Sequence, residues 1–373
     1  MSVMPPASAQ PEQSDRPTAQ ERAGQVAVER ALSELRSGRA VLVEAGGEQA
    51  LVLGAEALDP ESAAQLACAS PLTARLALPA PRLTRIGAPR PAAGSLALPG
   101  IDTDRVAVLA MQVDARIDAP VAPATALDEA ALELLRLALV LPAAVIAPVA
   151  PGSAHADALR VSEADILAYR AREVRALRMV GRAPVPLEDA PRTEFVVFRG
   201  GEGLRDQVAI IVGTPDLSAP VPVRLHSACL TGDLFGSLKC DCGDQLRGTV
   251  ARMAEGGGGI LLYLDQEGRG NGIANKMKAY KLQSEGYDTY DADEVLGFGL
   301  DQRRFDFAAR MLALLGVRQV ELHTNNPEKI GAMKAAGIEV TGEARVIGRL
   351  NPENVRYLAS KRDRAQHRID IGG

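Results

Sequence analysis

The apolar positions of this chain change period along its length, and each change marks an element. Val28, Ala31, Leu32 and Leu35 fall at i, i+3, i+4 and i+7, the stripe of an amphipathic helix that stops near Gly38. Residues 40–43 and 50–53 are short apolar runs on either side of Gly46-Gly47 and predict two strands joined by a turn. The longest uncharged stretch, 137–154, approaches spanning length. Pro142, Pro148 and Pro151 interrupt it and Glu133 and Arg136 precede it, so it predicts a buried helix followed by a strand. Residues 163–180 predict a charged helix with Arg170, Arg172, Arg175 and Arg178 on a solvated face. Pro184, Pro186 and Pro191 then place a domain boundary near residue 187.

Beyond that boundary 194–198, 207–213, 260–264 and 317–322 predict strands. The last two empty into polar turns, 265–270 and Thr324-Asn325-Asn326-Pro327. A helix follows each, one starting near Asn275 and one over 328–336 that ends at Gly337. Such strand-turn-helix junctions bring backbone N–H groups and side chains to one mouth, where an anion can bind. The fold class that follows is α/β with mixed sheets, in two domains. A disordered leader is expected over 1–25, an N-terminal domain over 26–186 and a C-terminal domain over 187–373.

Composition narrows this picture little. A chain of 373 residues can bury two cores, and 47% hydrophobic with 24% charged residues is ordinary for a globular protein. The net charge of −5 argues against general nucleic-acid or membrane-surface binding, so an anionic ligand must be met by a local basic cluster. The absence of Trp leaves little for stacking on single strands. No basic segment precedes an apolar core at the N-terminus, and four cysteines are too few for a disulfide scaffold. The cytoplasm is the expected compartment. Cys68 stands alone and is expected in the core.

The other three cysteines change the picture most. Cys229, Cys240 and Cys242 fall within fourteen residues at Cys-x10-Cys-x-Cys spacing, with Gly232, Gly236 and Gly243 between and beside them to allow tight turns. Three thiolates can converge on one zinc ion, and three protein ligands leave a position open for water, the arrangement of a catalytic site. A structural zinc would need a fourth ligand, for which His226, Asp233 or Asp241 is near in sequence.

Four blocks, RLHSACLTGDLFGSLKCDCGDQL, LLYLDQEGRGNGIANKMKAYKLQ, GYDTYDADEVLGFGLDQRRF and LHTNNPEKI, stand in this order between residues 194 and 357. Together they resemble GTP cyclohydrolase II, the enzyme that opens the imidazole ring of GTP at the start of riboflavin synthesis. The resemblance implies a homodimer holding one zinc per chain on Cys229, Cys240 and Cys242, with magnesium on the triphosphate of GTP. Formate, diphosphate and a diaminopyrimidine nucleotide are the implied products. The catalytic residues it implies are Tyr280 near the scissile ring, Asp301 as a base, and Arg303 as a nucleophile or α-phosphate ligand. Because a guanidinium is nearly always protonated, electrostatic clamping by Arg303 is an equal reading. Contacts to the nucleotide are implied for Arg224, Leu225, His226, Ser227, Ala228, Gln245, Glu267, Gly268, Arg269, Thr289, Thr324 and Lys329. Glu267 can accept hydrogen bonds from the guanine edge and Arg269 can grip phosphate.

Three departures qualify the match. Ala228 replaces a usual Glu, Asp265 a usual basic or amide residue, and Asn271 a usual apolar one. Ala228 and Asp265 keep open a related enzyme acting on another nucleotide or a pyrimidine-derived substrate. A silent nucleotide-binding partner is a third reading, against which the retained cysteines speak. Residues 27–149 resemble 3,4-dihydroxy-2-butanone-4-phosphate synthase in layout. The acidic loop of that family is replaced by Glu44-Ala45-Gly46-Gly47-Glu48, and no His-Thr-Glu segment follows. Lost synthase chemistry and a structural or dimerisation role are what these absences imply.

Overall fold

The computed structural model describes residues 18–70, 72–150, 158–201, 205–299, 303–346, 348–355, 359 and 362–364. The first elements are α1 (Ala19–Arg36), β1 (Val41–Ala45), β2 (Glu48–Gly54), α2 (Pro60–Ala69), β3 (Ala74–Leu78), α3 (Ala80–Arg85) and β4 (Gly94–Leu98). Then come α4 (Thr103–Met111), β5 (Ala122–Pro123), α5 (Ala126–Leu137), β6 (Ala144–Pro148), β7 (Arg160–Ser162), α6 (Glu163–Ala176) and β8 (Arg178–Pro184). The chain continues through β9 (Thr193–Arg199), β10 (Asp206–Gly213), β11 (Val221–Ser227), α7 (Leu230–Asp233), α8 (Cys242–Glu255) and β12 (Gly258–Leu264). It closes with α9 (Ile273–Ser284), α10 (Thr289–Val295), α11 (Asp306–Leu314), β13 (Gln319–His323), α12 (Pro327–Ala335) and β14 (Glu339–Ala344).

Contacts divide these elements into two compact units. One comprises Pro17–Tyr169 with Asn271–Gln302, and the other Arg170–Gly270 with Arg303–Gly373. Among the described residues the chain therefore crosses between units three times, whereas the prolines near residue 187 suggested one crossing. The helix expected over 163–180 ends at Ala176, and the stretch that follows, through Pro184, is strand β8, paired antiparallel with β9 and fastened by an Arg182–Glu194 ion pair of 2.5 Å.

In the first unit the sheet order is β5-β4-β3-β6-β2-β1-β7, antiparallel except for β1 beside β7. Alternation along its strands buries both faces. Val41, Val43, Ala50 and Val52 pack with α1 and α5, while Leu42, Leu51 and Leu53 pack with residues of α2, α3 and α4 on the other face. Gly46 and Gly47 both have positive φ, 58° and 83°, as the two-residue turn between β1 and β2 requires.

Two sequence expectations are corrected here. Helix α1 starts at Ala19, inside the stretch assigned to a leader, because the Thr18 hydroxyl accepts the Glu21 N–H and the Glu21 carboxylate accepts the Thr18 N–H. Cys68 is exposed: α2 buries Ala63 and Leu66, and a residue two beyond Leu66 lies on the opposite side of the helix.

In the second unit the order is β14-β13-β11-β12-β10-β9-β8. The four strands β14, β13, β11 and β12 are mutually parallel, and β10, β9 and β8 continue the sheet antiparallel. Val250 and Met253 of α8 pack on Leu261 at one face, while Ile330 and Met333 of α12 share the core of Val223, Leu225, Ile260 and Leu262 at the other. The links β11–α8–β12 and β13–α12–β14 thus lie on opposite faces and diverge between β11 and β13. At such a switch point the loops part beyond the carboxyl ends of the strands and leave room for a ligand. Among the described residues no helix is long and apolar enough to cross a membrane.

Candidate active site

Three loops leave the carboxyl ends of β11, β12 and β13, and the chemistry-bearing residues of the second unit concentrate on them. Cys229 follows β11 directly, and Cys240 and Cys242 bracket the start of α8. Their Sγ atoms lie within 4.8 Å of one another, with Cys229 and Cys240 at 3.6 Å, and they form a group able to hold a metal ion. Hydrogen bonding with Cys229 and burial push the Cys240 thiol up to about 11, because crowded thiols without a cation resist ionising together.

Glycine makes this convergence possible. A Cβ on Gly232 would stand 2.6 Å from the Cys240 sulfur and 3.1 Å from that of Cys229, and one on Gly243 would stand 2.3 Å from the Gly232 carbonyl oxygen. Neither position has room for a side chain.

Behind the thiols, Asp233 gathers three donors. Its carboxylate accepts the Cys229 N–H at 2.9 Å and the Tyr263 hydroxyl at 3.0 Å, and meets His226 Nε2 at 3.0 Å. His226 stacks on the Tyr263 ring with centroids 5.6 Å apart. Burial lowers the His226 pKa despite Asp233, and burial raises that of Tyr263, so both are neutral at neutral pH. Asp233 is thereby occupied in holding the β11 and β12 ends to the Cys229 loop, and only the three cysteines form the metal-capable group among the described residues.

The other predicted residues fall into clusters. Arg224 is buried, donating to the His323 carbonyl at 2.9 Å and to Gln245 Oε1 at 2.6 Å, while Gln245 donates to Asp241, the residue between two of the cysteines. Burial pushes the Arg224 guanidinium down to about 10, which leaves it charged at neutral pH. Buried Lys329 donates to the Leu225 carbonyl at 2.7 Å, and both Lys329 and Arg303 lie over the Phe305 ring, at 5.2 and 5.7 Å. Arg303 also reaches Ser227 Oγ at 3.5 Å, and the Thr324 hydroxyl accepts the Asn326 N–H.

Past β12, buried Glu267 accepts the Leu230 N–H at 2.6 Å and the Gly268 N–H at 2.9 Å. Gly268 and Arg269 adopt left-handed φ values of 62° and 60°, rare for a residue with a long side chain and a mark of a constrained, functional turn. Ala228 is half-buried, its N–H bonded to the Leu264 carbonyl. The backbone of Asp265 is engaged on both sides, its N–H by Gln207 and its carbonyl by Arg205.

The structure thus brings Cys229, Cys240, Cys242, Arg224, Leu225, His226, Ser227, Gln245, Glu267, Gly268, Arg269, Arg303, Thr324 and Lys329 to the loop edge of one sheet. Tyr280 and Thr289 belong to the other compact unit, half-buried in α9 and at the start of α10. Asp301 lies outside the described residues. Sequence reasoning overlooked Tyr263 and the donors that Asp233 gathers. Tyr263 is half-buried in an otherwise buried run, 258–264, and a hydroxyl in such a run needs a partner; that was the available signal.

With this geometry in hand, comparison with known proteins is direct. Residues 178–345 match the family model for GTP cyclohydrolase II. A GTP cyclohydrolase-2 of Xylella fastidiosa is 46% identical over 347 residues, 92% of this chain and 87% of that protein. One from Vibrio vulnificus is 46% identical over 179 residues, 48% of this chain but 90% of its own length. Among solved structures, a two-domain 3,4-dihydroxy-2-butanone 4-phosphate synthase from A. baumannii aligns over 85% of this chain and 99% of its own, at 18% identity and a TM-score of 0.33, a likeness too distant to carry an argument. High identity across nearly the whole length, and a family model over the unit that holds the cysteine cluster, place the chain in the GTP cyclohydrolase II family.

Proposed function

We propose that the chain hydrolyses GTP to 2,5-diamino-6-ribosylamino-4(3H)-pyrimidinone 5′-phosphate, formate and diphosphate, the first step of riboflavin biosynthesis, with one zinc ion on Cys229, Cys240 and Cys242. The observation that carries this reading is the convergence of three sulfurs within 4.8 Å beside the switch point of a parallel sheet. Thiolates about 2.3 Å from a tetrahedral zinc stand about 3.8 Å apart, close to the 3.6 Å between Cys229 and Cys240. The packing around Gly232 leaves the sulfurs, and no side chain, at the centre of the cradle. Bound there, zinc supplies Lewis acidity at an open coordination position.

The residues around it bind and orient. Glu267, fixed by two backbone N–H groups, is suited to accept from the guanine edge, with Gly268 and Arg269 turning the chain back toward the phosphates. Arg303 and Lys329 put two cations at the end of β11, beside Ser227, and serve best as electrostatic clamps on the nucleotide's phosphates. Arg224 and Gln245 hold Asp241, and with it the Cys240–Cys242 turn, while Leu225, His226, Ala228 and Thr324 line the same edge. Tyr280 is assigned to proton transfer at the scissile ring, Asp301 to a base, and Thr289 to the nucleotide. Magnesium would enter with the triphosphate.

For the N-terminal part of the chain we propose a domain that has lost synthase chemistry. Its acidic residues at the β1–β2 turn are taken up by cations: Glu48 pairs with Arg75 at 3.0 Å and Glu44 with Arg160 at 3.2 Å. A cytoplasmic homodimer is the assembly proposed with it.

The test incubates the zinc-loaded chain with GTP and magnesium and follows formate and the diaminopyrimidine, beside a Cys240→Ser variant. Formate with diphosphate, abolished in the variant, is the expected result. Diphosphate without formate, or no turnover by protein carrying one zinc per chain, would refute the assignment and turn attention to Ala228 and Asp265.

A further inference from the structure

Residues 271–299 lie inside the span of the family model, 178–345, yet they pack with described residues of 18–169. The Vibrio vulnificus relative, aligned over 179 residues and 90% of its length, leaves no room for a partner of that size. In this chain the segment has a dedicated one.

The attachment is built at several points. Arg82 of α3 is 1% exposed and donates to four carbonyl groups: Leu109 at 2.8 Å, Val108 at 3.1 Å, Gln112 at 2.7 Å and Val295 at 2.9 Å. The first three belong to the carboxyl end of α4 and its cap, and Val295 is the last residue of α10. One guanidinium therefore satisfies orphan carbonyls at two helix ends and ties them together. Burial pushes it down to about 10, so it keeps its charge at neutral pH.

Around this staple, Leu141, Met111 and Val113 share an apolar cluster with Ala279, Leu282, Ala292, Val295, Leu296 and Phe298. The Asn275 amide donates to the Leu139 carbonyl at 3.0 Å, and Leu139 is a non-glycine residue at φ 59°, a strained conformation held against Gly272. At the rim Lys278 pairs with Glu56 at 2.7 Å, and Arg85 lies 5.2 Å from the Tyr287 ring centroid.

We infer that the N-terminal part of this chain acts as the clamp for the segment carrying Tyr280 and Thr289, with Arg82 and Glu56 as positioning residues for GTP turnover. The inference rests on the proposed function, which gives those two residues their roles. The clamp replaces lost chemistry with a mechanical duty: it orders α9 and α10.

Three full-length variants test it: Arg82→Leu, Glu56→Lys, and the exchange of charges Glu56→Lys with Lys278→Glu. Arg82→Leu is expected to raise hydrogen exchange across 273–298 and to lower kcat for GTP on the order of a hundredfold, as misplacing a reacting group does, with zinc content unchanged. Glu56→Lys is expected to lower kcat/KM by about two- to fivefold, with recovery in the charge exchange, which a general loss of stability would not produce. If Arg82→Leu is insoluble, loss and recovery in the other two support the clamp alone. Wild-type rates in Glu56→Lys and in any soluble Arg82→Leu, or exchange raised with kcat unaltered, overturn it. The unaltered chain is the control: its failure to turn over GTP refutes the function proposed above, not the clamp.

Discussion

At the residue scale the site depends on atoms that are missing as much as on those present. Gly232→Ala would drive a methyl group to 2.6 Å from the Cys240 sulfur, so zinc affinity in a competition assay should fall by about tenfold or more. Asp233→Ala leaves the Cys229 N–H, the Tyr263 hydroxyl and His226 without their shared acceptor. A loss of about 2–4 kcal/mol in denaturant unfolding is expected, with weakened metal binding. His226 offers a pH readout. Burial lowers its folded pKa beneath the usual 6.5, so the unfolded chain takes up the proton first. This contribution to stability is present above 6.5 and is lost as pH falls from there through the folded value. An NMR titration should find His226 less protonated at pH 6.5 than a solvated imidazole, which is half protonated there.

At the element scale, period and punctuation carried most of the information. Strands β10 and β12 stand out as apolar runs, and α12 is bounded by Asn326 at its N-cap and Gly337 beyond its end, whereas β11, whose buried positions include Arg224 and His226, carries no such run and went unpredicted. Strand β8 was not legible. Six of its seven residues are exposed, so an edge strand with Arg178 and Arg182 carries no apolar period; its first three residues read as the end of the charged helix and the rest as linker. Helix α12 also contains a correctable weakness. Gly331 has open space around its Cα, so Gly331→Ala should raise stability by about 0.5–1 kcal/mol in thermal unfolding, with GTP turnover unchanged.

At the scale of the whole molecule, two sheets with separate cores predict separable responses. Removing the metal with a chelator should release hydrogen-exchange protection across 221–264, where the three thiols join the ends of β11 and α8, and leave 41–148 protected. Loss of protection in both would show the metal governing the entire fold.

The sequence by itself determined the spacing of the thiols, two of the three strands that end at the site, the glycines that let the loops close, and membership of a family through four ordered blocks. These are local properties: period, turn chemistry and ligand spacing act over a few residues and survive in one dimension. Only the tertiary structure decided what Asp233 holds, that Cys68 faces solvent, and that 271–299 folds with the N-terminal part of the chain. Arg82 shows the physical reason most plainly. Its value lies in meeting carbonyl groups 26 to 213 residues away, and nothing in its own neighbourhood of prolines and alanines records where those carbonyls will be.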